Sequence, residues 1–250
     1  MSPDRRAACV LLASALLPAR VRASGGPVRM VATEFPPYTG LQLAGGGIAS
    51  TITREALAAQ GLDMALEFRP WTRAIAEFHQ GEHDGVIAAW YSLERARTMQ
   101  FPHFLGISNR IGFMARAGSG LKVDDLSQLH GLRIGTVRGY ANPPAFEAAH
   151  LQVDEAIDDE GNLRKLIVGR IDLALIDNGV AYYLMQTALR ESQHQLVWLE
   201  PALTELPLYT AVSRGRPRSA QVFKALDQGL TELQSSGALA RLLRQHAQWM

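Results

Sequence analysis

Cysteine is nearly absent: Cys9 is the only one in 250 residues, and it lies in a segment that reads as removable. The rest of the chain therefore has no disulfide framework, no thiol nucleophile and no Cys-ligated metal. Long apolar runs are also missing. No stretch approaches the roughly 20 residues that a membrane helix requires. Neither sign of charge dominates, with 25 basic and 24 acidic residues and a formal net charge of +1, so nothing marks a nucleic-acid footprint. The sequence carries no Gly-x-Ser-x-Gly nucleophile motif, no metal-ligand cluster and no repeat period. These absences leave a globular chain whose 47% hydrophobic content is ample for a core.

Residues 1–23 combine Arg5 and Arg6 with an apolar run over 7–17 and the small-residue pattern Val21-Arg-Ala23. They read as an export signal suited to signal peptidase. The residues after Arg5-Arg6 match the twin-arginine signal poorly and favour the ordinary secretory route, and those before Cys9 make a poor lipid-attachment site. Without this segment, which holds four arginines and one aspartate, 21 basic residues face 23 acidic ones. The apparent basicity belongs largely to targeting, and the expected location of the mature chain is the periplasm.

Apolar periodicity predicts strands over 28–33, 65–68 and 86–89 alternating with helices over 48–60 and 73–80. A second set follows, with strands over 132–137 and 171–176 and helices over 144–149, 163–168 and 180–189. Such alternation predicts parallel βαβ units, and two sets predict two lobes. The extended segments 108–116 and 208–213 are the candidate crossings between them. Apolar residues at helical spacing, Val222, Phe223, Leu226, Leu230 and Leu233, fit a packed C-terminal helix.

Two stretches carry the strongest chemical signal: Asp84-Gly-Val-Ile-Ala-Ala-Trp-Tyr-Ser-Leu-Glu-Arg95 and Arg170-Ile-Asp-Leu-Ala-Leu-Ile-Asp177. Each reads as a buried strand ending in charge or aromatic rings, where open α/β sheets place their ligands. One delivers a guanidinium and the other a carboxylate, the pair that a small zwitterion needs. Other strand ends add Glu34, Phe35 and Tyr38, Trp71 and Arg73, Trp90, Tyr91 and Ser92, and Arg138 and Tyr140. Plainer readings exist beside these: Arg95 as part of the solvated first turns of a helix, Asp177 as a helix N-cap, and the aromatic residues as packing. His79 and His83 have the spacing of two helical metal ligands, but Gly81 interrupts the helix, so a surface turn is the favoured reading and no metal is expected. Gly45-Gly-Gly47 lacks the context of a phosphate loop.

The pieces Ala32-Thr-Glu-Phe-Pro-Pro-Tyr38, Gly81-Glu-His-Asp-Gly-Val-Ile87, Glu94-Arg-Ala-Arg-Thr-Met-Gln-Phe-Pro102, the segment 126–139 and Gly169-Arg-Ile-Asp-Leu-Ala-Leu-Ile-Asp177, in this order and spacing, resemble bacterial extracellular solute-binding proteins of family 3. These are the polar amino-acid type that feeds ABC permeases. The resemblance implies an α/β, two-lobed periplasmic-binding-protein-like fold of type II, with mostly parallel sheets flanked by helices and two hinge strands. It divides the chain into lobe one over 24–110 and 207–250 and lobe two over 111–206.

Carried over by position, the resemblance assigns Arg95 to a ligand carboxylate and Asp177 to its ammonium. Glu34 and Trp71 would face the ligand side chain, with Tyr38 as a second wall. Trp90, Tyr91 and the Tyr140-Ala141 pair depart from the small and hydroxyl residues usual in the family; Ser92, Tyr91 or Tyr140 would supply replacement hydroxyls, and Arg73 adds a second cation. The expected activity is capture of a small polar solute, an amino acid or related acid, by a monomer without cofactor, for delivery to an ABC permease. Two alternatives stay open: a cleft enzyme of the cyclohexadienyl or arogenate dehydratase kind, with Glu34 or Asp177 as proton donor and Arg95, Arg73 or Arg138 holding carboxylates, and a sensing module that docks on a membrane receptor.

Overall fold

The computed structural model describes residues 26–246; the segment read as an export signal and Cys9 lie outside them. In chain order the elements are β1 (Val28–Ala32), α1 (Ile48–Ala59), β2 (Met64–Phe68), α2 (Trp71–Gln80), β3 (Gly85–Trp90), β4 (Met99–Gln100), β5 (Ser108–Arg116), β6 (Ile134–Val137), α3 (Pro144–Ala148), β7 (Val153–Ala156), α4 (Asp159–Ile167), β8 (Leu173–Asp177), α5 (Asn178–Gln186), β9 (Leu196–Ser213), α6 (Ser219–Ser235) and α7 (Ala238–Gln245).

β1 lies between β2 and β3, parallel to both, and β6 lies between β7 and β8, again parallel to both. These are the two lobes. They are joined through two antiparallel strands, in the order β2-β1-β3-β9-β5-β8-β6-β7. The later part of β9 pairs with β3, while its earlier part pairs with β5, which pairs in turn with β8. The crossing expected over 208–213 is thus the last third of a longer strand. Its earlier part, interrupted by Glu200-Pro201 and Pro207 and without a continuous buried face, gave no strand signal.

Burial follows position in the sheet. β3 and β8 are buried at every residue, as strands covered on both faces must be, and their sequences Gly-Val-Ile-Ala-Ala-Trp and Leu-Ala-Leu-Ile-Asp carry almost no polar side chains. β7, Val-Asp-Glu-Ala, is an exposed edge. Its acidic residues keep that edge from pairing with another chain, and they also hide it from a periodicity reading.

α6 returns to lobe one and packs on α1 so closely that a Cβ on Gly229 would fall 2.0 Å from the Ala56 carbonyl oxygen. Both ends of the described chain therefore build one lobe. The tail forms two helices, separated at Gly237, whose φ of 70° is left-handed. None of the helices among the described residues is long and apolar enough to cross a membrane.

Candidate ligand cleft

The carboxyl ends of β1, β2 and β3 face those of β6 and β8. In lobe one the key segment follows β3. Its register against β9 shifts between Ile87 and Ala89, and Ala88 adopts a φ of 62°, a bulge in a conformation costly for a residue with a Cβ. Trp90 is placed just beyond this bulge, buried and donating from its indole Nε1–H to Asn109 Oδ1 at 2.7 Å. Tyr91, next along, points away: it is 51% exposed and packs on Phe101.

Ser92 Oγ accepts from the Arg95 N–H at 3.1 Å and fixes the turn that turns Arg95 back into the cleft. The guanidinium donates to the carbonyl of Trp90 at 2.8 Å and, across the lobes, to that of Gly139 at 3.2 Å. It also lies over the Trp71 ring, 4.7 Å from the centroid. Burial lowers its pKa to about 10, so Arg95 stays charged at neutral pH. None of the described carboxylates forms an ion pair with it.

Lobe two supplies an aromatic ring and two acids. Gly139, at a φ of 76°, makes the turn after β6, and its carbonyl also accepts from Trp71 Nε1–H at 2.8 Å. The next residue, Tyr140, inserts its ring among Phe35, Trp71 and Trp90. Its hydroxyl donates to Asp159 Oδ2 at 3.2 Å. Desolvation raises the Asp159 pKa to about 7, helped by the nearby charges of Asp177 and Asp158. Desolvation likewise raises Asp177 to about 6.

Asp177 Oδ1 caps α5 by accepting from Val180 N–H at 2.9 Å, and it also accepts from the Tyr38 hydroxyl of lobe one at 2.9 Å. Its Oδ2 is buried without a hydrogen-bond partner, as is the amide nitrogen of Asn109. Asn109 is near enough to favour the ionised form of Asp177 but falls short of hydrogen-bond geometry.

Arg95, Trp71, Trp90 and Tyr140 thus line one compartment, together with Thr33, Phe35 and Ala88. Tyr38 and Asp177 meet each other beside it. Ser92 lies outside, on an adjoining concavity of about 500 Å³. Glu34 is exposed and accepts from the Leu41 N–H, Arg73 is tied to Glu77, and Arg138 pairs with Glu155 on the surface. None of these three lines the compartment.

Phe35, a strand-end residue in the sequence, lines the compartment, whereas sequence reasoning missed Asn109 and above all Asp159. Had β7 been recognised, Asp158-Asp159 would have stood out as another strand end opening a helix, with Asp158 as its N-cap. The histidine pair does not act together. Donor atoms of His83, Glu77 and Glu82 lie within 4.8 Å of one another, yet Glu77 already accepts from His83 and Arg73, contacts that lower its pKa to about 2. Another concavity, about 620 Å³ between the ends of α4 and α5, sits at the amino end of β8, opposite the edge that binds ligands in such sheets.

An α/β body with a cation, aromatic walls and acids between its lobes defines a two-lobed, binding-protein-like fold. Residues 29–248 match the bacterial extracellular solute-binding proteins, family 3, and the chain belongs to that family. No curated protein sequence matches. Among solved structures, a histidine kinase sensor domain with similarity to periplasmic binding proteins superposes with a TM-score of 0.77 at 19% identity, covering 90% of this chain and 96% of that one. The GluR0 ligand-binding core from Nostoc punctiforme in complex with L-glutamate gives 0.74 at 18%, covering 90% and 99%. An ancestral amino acid-binding protein that is a precursor of cyclohexadienyl dehydratase gives 0.72 at 16%, covering 90% and 95%.

Proposed function

We propose that the chain is an exported binding protein that captures a small polar solute, an amino acid or related acid, and delivers it to the membrane permease of an ABC transporter. It works as a monomer in the periplasm, closing the lobe over 111–206 onto the lobe formed by 24–110 and 207–250. The observation that carries this reading is Arg95: a half-buried cation in the cleft, held by two carbonyls and an aromatic face, with none of the described carboxylates paired to it. A desolvated charge is retained at such cost where a counter-ion arrives from outside. Asp177, with one buried oxygen unpartnered, supplies the complementary charge for an ammonium group.

The test is a thermal-shift screen of the mature chain against amino acids, opines, polyamines and small organic acids. A ligand at 100 times its Kd stabilises by about 2.7 kcal/mol, which is readily seen as a rise in Tm. Silence from all four classes would sink the reading. A second reading is favoured by one observation: Asp159, at a pKa of about 7, suits general acid catalysis on a carboxylate substrate held by Arg95. Turnover of prephenate or arogenate by the purified chain would establish this dehydratase-like role, and its absence would remove it.

A further inference from the structure

Tyr140 stands where a ligand must go. Its ring is met at steep angles by Phe35, Trp71 and Trp90, with centroids at 6.1, 5.8 and 5.5 Å and interplanar angles of 89, 90 and 80°. All three rings belong to lobe one, while Tyr140 comes from lobe two. Edge-to-face packing of this kind favours an aromatic occupant over an aliphatic one of equal volume. The far end of the ring is held as well, through the hydroxyl on Asp159. With the side chain in place, the compartment keeps only about 10 Å³, room for one water at most. The main chain of the same segment occupies the polar groups that would receive a ligand, since the Gly139 carbonyl takes hydrogen bonds from both Trp71 and Arg95.

There is also a place for the ring to go. The neighbouring concavity of about 500 Å³ is lined by Tyr140 itself, with Ile75, His79, Ser92, Arg97 and Thr98. Gly139 precedes it with a left-handed φ of 76°, a joint at which the segment 139–142 re-aims without a Cβ penalty.

We propose that Tyr140 is an internal occupant of the binding compartment, and that the solute which displaces it is a ring-bearing amino acid. The ligand ring takes the Tyr140 position among Phe35, Trp71 and Trp90, its carboxylate takes Arg95 in place of the Gly139 carbonyl, and its ammonium takes the carboxylates of lobe two. This rests on the binding reading above and gives it a ligand class. Because the occupied form cannot bind, the apparent affinity is reduced by the fraction of molecules in which the compartment is free. Removing the tyrosine side chain therefore strengthens binding.

The experiment uses p-cresol, the free side chain of tyrosine, together with L-phenylalanine, L-tyrosine, L-serine and L-glutamate, titrated by calorimetry into wild type, Tyr140→Ala and Tyr140→Phe. The expected results are that p-cresol binds Tyr140→Ala but not wild type, and that the two aromatic amino acids bind Tyr140→Ala at least tenfold more tightly than wild type. Tyr140→Phe keeps the ring but loses the Asp159 bond, and is expected to bind them several-fold more tightly. That variant carries the test if Tyr140→Ala does not fold. A folded Tyr140→Ala that ignores p-cresol, or a Tyr140→Phe with wild-type affinity for the aromatic amino acids, overturns the internal occupant. Serine or glutamate binding wild type while the aromatic amino acids do not would overturn this inference and leave the binding reading standing. A cresol-filled Tyr140→Ala that takes no amino acid at all would overturn the amino-acid reading and the ligand class with it.

Discussion

The two walls of the cleft hold their charges in opposite ways. Arg95 on lobe one is bound by contacts that a ligand can replace: two carbonyls, one of them from the other lobe, and the face of Trp71. Asp177 on lobe two is already structural, capping α5 and anchoring Tyr38 with the same oxygen. Burial leaves Arg95 charged at neutral pH, whereas Asp177 and Asp159 are brought close to neutrality. A cation held by replaceable contacts, facing acids committed to the fold, is a site in which one wall recognises and the other wall also holds the body together. Mutations should separate these duties.

The largest expected effect is on binding. Arg95→Ala should weaken the ligand found in the screen by at least 100-fold, about 3 kcal/mol, because a desolvated carboxylate is left without its partner. Arg95→Lys should recover little, since an ammonium cannot reproduce the planar fork. Unliganded Tm should move by only a few degrees in both variants. Calorimetry beside a melting curve separates the two outcomes; a large drop in unliganded stability would make Arg95 a structural residue like Asp177.

Asp177→Ala should act on the fold as well. It removes a helix cap worth about 1 kcal/mol and leaves the buried Tyr38 hydroxyl without an acceptor, at a further 1–3 kcal/mol. Relief of a desolvated carboxylate offsets part of this, so the net loss at neutral pH is about 2 kcal/mol. Asp177→Asn keeps an acceptor oxygen for both donors without the charge, and should stay within about 1 kcal/mol of wild type while still losing ligand. Urea denaturation measures the difference. Equal stability of the two variants would show that the cap and the Tyr38 bond contribute nothing.

The acids also set a pH dependence. Their folded-state pKa values, about 7 for Asp159 and about 6 for Asp177, lie above the ordinary aspartate value, so the folded state holds more protons than the unfolded one between roughly pH 4 and 7. Stability of the unliganded chain therefore falls as pH rises through that window by several kcal/mol, at about 1.4 kcal/mol for each pH unit by which a pKa is raised. Glu77 has the opposite sign, but its loss lies lower, as pH falls toward about 2. Asp159→Asn should flatten the upper half of the slope in denaturation curves taken at half-unit steps. A wild-type profile level from pH 5 to 8 would contradict the desolvation of both acids.

How far the sequence reveals this arrangement depends on what each residue's neighbours are. β3 and β8 are legible because strands covered on both faces must be apolar throughout, and the abrupt change at Trp90 and Asp177 marks their ends. Arg95 is legible as the guanidinium that follows the buried run of β3, although nothing local says that it turns inward; that follows from the Ser92 contact. Asp159 is hidden because the strand before it is an edge with no hydrophobic alternation, so the acid reads as an ordinary first-turn residue. Tyr140 is visible as a departure from the family pattern, but its position inside the compartment comes from lobe closure, which joins residues 35, 71 and 90 to a turn that local sequence does not connect to them.

The same contrast separates the arginines, and here the smallest effect is expected. Arg138 follows a strand end just as Arg95 follows its own, yet its side chain is 63% exposed and pairs with Glu155, itself 43% exposed. Exposed pairs contribute about 0–1 kcal/mol and are screened by salt. Arg138→Ala should therefore change stability by less than about 0.5 kcal/mol and leave ligand affinity within twofold of wild type in the same calorimetric assay that registers Arg95→Ala. A loss of affinity approaching that of Arg95→Ala would mean that the segment carrying Gly139 and Tyr140 swings Arg138 into the cleft on binding, and that the recognising wall is shared between both lobes.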